Sequence, residues 1–299
     1  MSRLPPTLER EVAAAWGARL GRELTIADSA PVGGGCISAT ARLRSDRGEQ
    51  AFLKWGLPGD TPAGLFAAEA TSLRALGEAA ALRVPEVIAL GENGVGWLLL
   101  EWLEPGRATA RTSQELGRGL ATLHGHRAER FGWPEPNFIG SLPQANDWTT
   151  TWPEFWRARR LEPQLARAAG CFSATDRRRF DRLLAALPEL LAGAGEEGAS
   201  LVHGDLWGGN LHVIADGTPA LIDPSSYYGH REVDHAMSEL FGGFDRAFYA
   251  AYDETWPRLP GYREHRRAIY QIYYLLVHVN LFGGGYVGST LSALAAAGV

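Results

Sequence analysis

Leu201-Val202-His203-Gly204-Asp205-Leu206-Trp207-Gly208-Gly209-Asn210-Leu211-His212-Val213-Ile214 is closely followed by Leu221-Ile222-Asp223. An apolar strand runs into a polar, glycine-rich loop. A second strand leaves the loop, turns at Asp216-Gly217, and returns as a third strand ending on Asp223. Asp205, Asn210 and Asp223 should therefore converge at one edge of a small β-ribbon. Such a group suits transfer of a phosphoryl group from Mg-ATP to a hydroxyl. One carboxylate orients the hydroxyl, while the amide and the other carboxylate hold the metal.

The rest of the chain can accommodate an enzyme of that kind. Its 299 residues suffice for one large domain or two lobes. A formal net charge of -5 argues against a general nucleic-acid partner. Two cysteines, Cys36 and Cys171, make no disulfide framework, so a reducing compartment is expected. Met1 to Pro6 has no apolar core of a signal peptide, and no run reaches the ~18 apolar residues of a membrane span. The expectation is a cytoplasmic, two-lobed α+β enzyme with no membrane or nucleic-acid partner.

Upstream of the motif the chain is strand-rich. Leu8 to Leu20 has helical spacing of its apolar residues. Gly33-Gly34-Gly35-Cys36-Ile37-Ser38 then precedes the strand Ala39 to Leu43. It is either an ordinary glycine hairpin or a turn whose amides, with the Ser38 hydroxyl, close over phosphates. Ala51 to Trp55 is a strand carrying Lys54. Thr61 and Pro62 suggest the start of a helix in which Leu65, Glu69 and Leu73 are spaced four apart. Glu69 thus falls in an apolar stripe, where it needs a partner. Lys54 is the candidate, as a structural ion pair or as one that aims an ammonium at nucleotide phosphates. Val84 to Gly91 and Gly96 to Leu103 read as two more strands. Glu104-Pro105-Gly106 ends the second and marks a lobe boundary near residue 104. Backbone groups at Glu101, Trp102 and Leu103, flanked by Leu100, are either a plain edge or a hinge for adenine.

Residues 106 onward are mostly helical. Thr112 to Glu115 and Thr151 to Glu154 have the pattern of capping boxes, and Ser173 to Asp176 opens a further helix. Arg157, Arg159 and Arg160 read as a solvated or salt-bridged face. Ala192 to Ala199 reads as a surface loop. Asp234 stands where a loop becomes a helix. It is either a charge favoured by the helix dipole or a brace accepting backbone hydrogens of the catalytic loop. Helices through Phe244 to Tyr252 and Tyr262 to Phe282 complete the chain.

His203-Gly204-Asp205-Leu206-Trp207-Gly208-Gly209-Asn210 resembles the catalytic loop of the fructosamine kinase (ketosamine 3-kinase) family. Gly33 to Ser38, Asn137 to Gly140, Trp152 to Trp156, Ile222 to Pro224, Tyr228 to Glu232, Glu239 to Phe244 and His278 to Gly283 also resemble family segments, in family order. The resemblance covers essentially the whole chain. It implies a two-lobed protein-kinase-like fold related to the aminoglycoside and choline kinases. A small antiparallel-sheet lobe with one key helix would span residues 1–104, and a larger helical lobe 105–299.

The same resemblance implies roles residue by residue. Asp205 orients the acceptor hydroxyl, and Asn210 and Asp223 bind Mg²⁺. Lys54, paired with Glu69, contacts the phosphates of ATP under Gly33, Gly34, Gly35 and Ser38. Leu100, Glu101, Trp102 and Leu103 hold the adenine. His203 and Asp234 support the loop. The implied reaction phosphorylates the third-carbon hydroxyl of a ketosamine, free or protein-bound, and the phosphorylated adduct then releases its amine. A sugar joined to a secondary ammonium calls for aromatic surface, and Trp207, Tyr227, Tyr228, His230 and Tyr286 are the candidates. Cys36, in a glycine nest, is a candidate redox thiol linking two otherwise monomeric copies. Two other functions compete: a kinase of this fold acting on an aminoglycoside or amino alcohol, and a catalytically silent nucleotide-binding module. The Trp207-Gly208-Gly209 insert argues against the first. The joint presence of Lys54, Glu69, Asp205, Asn210 and Asp223 argues against the second.

Overall fold

The computed structural model describes residues 4–33, 38–57, 59, 61–92, 94 and 96–298. Helix α1 (Pro6–Leu20) starts on a proline and stops at Gly21, whose φ of 67° is open to glycine. Its buried Leu8, Val12 and Trp16 stand four apart and form one face. That face lies on a five-stranded antiparallel sheet made of β1 (Ile26–Pro31), β2 (Ala39–Ser45), β3 (Gln50–Trp55), β4 (Val87–Gly91) and β5 (Trp97–Glu101), in the order β1-β2-β3-β5-β4.

The two-residue period of the strands assigns the faces of this sheet. Ala41, Leu43, Ala51, Leu53 and Leu99 pack under α1. Leu98 and Leu100 face the other way, against Phe66, Ala70 and Leu73 of α2 (Leu65–Glu78). Lys54 and Phe52 alternate with the α1-facing residues, so they belong to this second face, which roofs the cleft. Helix α2 starts later than Thr61 and Pro62 suggested. Gly64, at φ 80°, breaks the path before it, and Thr61 Oγ1 instead accepts the Leu57 N–H at 3.0 Å.

The remainder runs α3 (Thr112–His124), β6 (Arg127–Ala128), β7 (Asn137–Ile139), β8 (Leu142–Gln144), α4 (Trp152–Phe155), a π-helical turn Trp156–Leu161, α5 (Glu162–Arg167), α6 (Ala174–Leu190), α7 (Ala192–Glu197), β9 (Ala199–Val202), β10 (Leu211–Val213), β11 (Pro219–Leu221), β12 (Tyr227–Gly229), α8 (Glu232–Phe241), α9 (Arg246–Thr255), α10 (Arg267–Phe282) and α11 (Val287–Ala296). Helix α10 is the centre of the core, with Ile269, Tyr270, Ile272, Tyr273 and Leu276 all buried. Around it Trp152, Phe155, Trp156 and Tyr227 form an aromatic interior.

Several local expectations change here. Strands β10 and β11 pair as a ribbon, but β9 pairs with β12 and β6 instead of joining it. Ser173 does form a capping box with Asp176. Thr112 does not cap: it is the first residue of α3, and its hydroxyl donates to the Gly217 carbonyl at 2.7 Å. Thr151 precedes α4 without a side-chain cap. Residues 192–197 are a helix, because Leu191 and Ala194 are buried and Glu197 is bound to Arg231 and His230. Arg160 is no surface residue. Its guanidinium is buried between the rings of Phe155 and Tyr227, 4.6 and 4.0 Å from their centroids.

Candidate active site

The loop after β9 takes its shape from Gly204 and from buried partners around it. Gly204 has φ 83°, and a Cβ there would collide with the Ser225 carbonyl. The N–H groups of His203 and Gly204 donate to Asp234 at 2.8 and 2.9 Å. Asp234 also accepts from His124 Nε2 at 3.1 Å, so one buried carboxylate takes three donors. His203 Nε2 donates to the Ile222 carbonyl at 3.0 Å, leaving Nδ1 to accept the Asp205 N–H at 3.2 Å. Burial lowers its pKa. His203 is thus a neutral ring with both nitrogens engaged, placed to support the loop and not to take a proton.

Asp205 follows in this loop, its carboxyl beside Asn210. Asn210 Nδ2 donates to its carbonyl at 2.9 Å and to its Oδ2 at 3.1 Å. Burial pushes the Asp205 carboxyl up to about 7; the Asn210 bond opposes the rise, and the nearby Asp223 and Asp234 charges add to it. Asp223, just beyond β11, holds a left-handed φ of 54°, which few non-glycine residues adopt. Its carboxylate receives Lys54 Nζ at 2.9 Å, and the same ammonium is 2.8 Å from both oxygens of Glu69. Burial alone would lower the Lys54 pKa, but Asp223 and Glu69 raise it above the ordinary value. The pairing foreseen for Lys54 and Glu69 is present, and Asp223 joins it across the cleft.

At the end of β5 the backbone expected to be either a plain edge or an adenine hinge is tied more tightly than the sequence implied. The Glu101 N–H donates to the Glu86 carbonyl at 2.8 Å, and its carboxylate accepts from Arg83 and from the Glu86 N–H. The Leu103 carbonyl accepts from His212 Nε2 on β10 at 3.0 Å. Those two backbone groups are already engaged within the protein. Beside them lies a group the sequence reading missed. Arg42 and Phe52 are register partners on β2 and β3, on the same sheet face as Lys54. The Arg42 guanidinium is 5.6 Å from the Trp102 ring, and the Phe52 and Trp102 centroids are 6.4 Å apart. Strand alternation was the signal for this roof.

Trp207, two residues past Asp205, is 39% exposed. Its ring meets Phe241 at 6.5 Å; Phe241 meets His278 at 4.5 Å, and His278 meets Tyr286 at 4.9 Å. Trp207 and Tyr286 are therefore joined by one aromatic row, whose middle members lie in segments already quoted from the sequence. His278 Nδ1 donates to the Tyr274 carbonyl at 2.8 Å, which leaves Nε2 as an acceptor, and burial lowers the pKa of the ring.

The other aromatic candidates are elsewhere. Tyr227 is buried against Phe155 and Arg160, beneath Gly204. His230 is buried and bonded to Glu197 and Tyr270. Neither can face a substrate, because each is spent on the core. Tyr228 points from β12 to the opposite side, between Trp133 and Trp148. Gly33 is exposed, and Ser38 is half-buried. The Thr40 hydroxyl donates to the Val32 carbonyl at 2.7 Å, tying the end of β1 to the start of β2. Gly34, Gly35 and Cys36 lie outside the described residues; Cys171 is exposed. Among the described residues no helix is long and apolar enough to cross a membrane.

The sequence model of the fructosamine kinase family matches residues 8–297. A ketosamine-3-kinase from Mus musculus is 34% identical over 292 residues, covering 88% of this chain and 92% of that protein. The crystal structure of a candidate fructosamine-3-kinase from Thermobifida fusca superposes with a TM-score of 0.84 at 37% identity, over 96% of this chain and 98% of that one. The APH(2″)-IIa protein, solved with streptomycin and ATP, shares the fold alone: TM-score 0.56 at 13% identity, over 99% of this chain and 97% of that one.

Proposed function

The chain belongs to the fructosamine kinase family, and from that premise we propose that it transfers a phosphoryl group from ATP to the 3-hydroxyl of ketosamines. The observation that carries the assignment to this site is the meeting of Lys54, Asp205, Asn210 and Asp223 at one point of the cleft.

Each residue then has a task that its surroundings support. Asp205 accepts the hydrogen bond of the acceptor hydroxyl and aligns its oxygen with the phosphorus. A carboxyl held near 7 is suited to receive that proton as the bond forms. Lys54, kept charged by two carboxylates, binds phosphate oxygens. Arg42, Phe52 and Trp102 cover the base, and Leu100 lines the same side. His278 Nε2 accepts a hydrogen bond from the sugar or its amine, while Trp207 gives the sugar an apolar surface.

Asn210 and Asp223 offer one amide and one carboxylate oxygen, a hard donor pair that fits Mg²⁺. Among the described residues no group of three or more His, Cys, Asp or Glu forms a closed metal cage. A two-ligand site completed by phosphate oxygens does not need one. Mg²⁺ held there would neutralise charge on the transferring phosphate.

The test is ATP consumption with ribulosyl-lysine, fructosyl-lysine, kanamycin and choline. Turnover with the two ketosamines is expected. Turnover restricted to kanamycin or choline would overturn the assignment, and no turnover with any would leave a nucleotide-binding module.

A further inference from the structure

Helix α8 touches the catalytic loop at both of its ends. In its first turn Asp234 accepts the N–H groups of His203 and Gly204 at 2.8 and 2.9 Å. Just past its last residue the Gly242 carbonyl accepts the Gly208 N–H at 3.2 Å. Asp205 and Trp207 lie between these two grips. The helix has ten residues, which makes it a rigid spacer of about 15 Å.

At the second grip the two backbones meet glycine on glycine. A Cβ on Gly208 would stand 2.8 Å from Gly243 Cα, and one on Gly243 would stand 2.5 Å from Gly208 Cα. Both separations are closer than carbon atoms tolerate, and backbone cannot swing aside as a side chain does. Gly243 also has φ 97°. The next residue, Gly209, lies directly under the indole of Trp207, and a Cβ there would collide with the ring. Phe241, the last residue of α8, meets the edge of the same indole at 6.5 Å and 74°. An exposed tryptophan is thus held from three directions.

We propose that the Gly242-Gly243 turn is a positioning device for the acceptor. Helix α8 sets where Trp207 stands relative to Asp205, and the Gly208–Gly243 contact is the stop that fixes it. The inference rests on the acceptor roles given above to those two residues. A side chain at either glycine wedges the contact open and displaces Trp207. Lys54, Glu69 and Asp223 lie outside the wedge, and Asn210, two residues past Gly208, is anchored separately by the Ile222 N–H at 3.1 Å and by Asp205, so ATP binding is affected less than the acceptor.

The experiment compares Gly243→Ala, Gly208→Ala and Gly21→Ala, varying ketosamine and ATP separately and recording ATP affinity and Tm. Gly243→Ala and Gly208→Ala should each raise the ketosamine KM about tenfold or more and lower kcat, since an ångström of misplacement is costly. The KM and Kd for ATP should stay within about twofold, because Lys54 meets none of the moved atoms and the Ile222 N–H holds Asn210 in place at 3.1 Å. Gly208 has no positive φ, so its variant tests the contact even if Gly243→Ala fails to fold. Gly21, at the end of α1, has φ 67° with nothing within 4 Å of an added Cβ. Its variant carries backbone strain without the clash and should keep the wild-type KM. Equal ketosamine effects at Gly21 and Gly243 would overturn the proposal, as would a parallel rise in both KM values. If the wild-type enzyme turns over kanamycin and not ribulosyl-lysine, the substrate assignment fails, and the same KM split on kanamycin decides the clamp.

Discussion

Lys54 and Asp223, 169 positions apart, are joined by an ion pair of 2.9 Å that bridges the sheet and the catalytic ribbon. The Lys54 ammonium and the Asp223 carboxylate neutralise each other. Glu69 completes the group from α2, with Lys54 and Glu69 both nearly buried and Asp223 still 40% exposed.

Lys54→Met should therefore do two separable things. Turnover should be lost, and stability should fall by about 3 kcal/mol because the Glu69 charge is left buried and unpaired. Adding Glu69→Leu should restore most of the stability and none of the turnover. Denaturant unfolding together with ATP consumption measures both; recovery of activity in the double variant would show that the ion pair is only structural.

The Arg42 roof predicts a nucleotide effect. Arg42→Ala should raise the KM for ATP about five- to tenfold, with little change in the ketosamine KM, the size expected for a stacked guanidinium. Arg42→Lys should recover only part of it, because an ammonium cannot lie flat against a ring. Full recovery by lysine would mean that charge alone matters.

Asp234→Asn should disturb catalysis from beneath. An amide NH₂ cannot accept where its carboxylate oxygen did, so one backbone N–H of the loop loses its partner. A loss of about 2 kcal/mol and a fall in kcat of about 100-fold are expected, with ATP affinity retained. Steady-state kinetics at full saturation check this, and an unchanged kcat would contradict it.

Glu197 gives an acid-limb prediction. Burial would raise its carboxyl, but hydrogen bonds from His230 and Arg231 outweigh burial and bring it down from 4.5 to about 2. A folded-state pKa below the unfolded one means stabilisation that is complete above 4.5 and is lost as pH falls towards about 2. Glu197→Gln should cost about 2 to 3 kcal/mol at pH 7 and make stability flatter between those limits. Unfolding curves of both proteins across that window decide it; parallel pH profiles would rule it out.

Much of this site is legible in the sequence because its parts are local. The Asp205 to Asn210 spacing, the return to Asp223 and the misfit Glu69 all follow from short-range pattern. What is not legible depends on distant partners. The glycines in Ala192 to Gly198 suggest a loop, but Arg231 and His230, more than thirty residues away, bind Glu197 and hold a helix there. Tyr227 and His230 stand near the motif in sequence, yet β12 turns one into the core and the other against Glu197. Thr61 has the chemistry of a cap, but the left-handed Gly64 intervenes. Phe241 and His278 join Trp207 in one aromatic row only because α8 and α10 pack together, which no local period reveals.

The seam at the hinge bears on how such a chain can be rebuilt. The Gly106 N–H donates to the Val213 carbonyl at 2.8 Å, His212 holds the Leu103 carbonyl, and the Leu221 N–H donates to the Arg83 carbonyl at 2.9 Å. A side chain at position 106 would collide with Ile214. A chimaera that grafts the sheet-bearing half onto a foreign helical half would have to reproduce the two main-chain bonds, the His212 side-chain bond and the glycine. The portable unit for recombination is consequently the half plus its ribbon, residues 4–106 together with 211–221, and a crossover placed at the linker alone would separate groups that are bonded to one another.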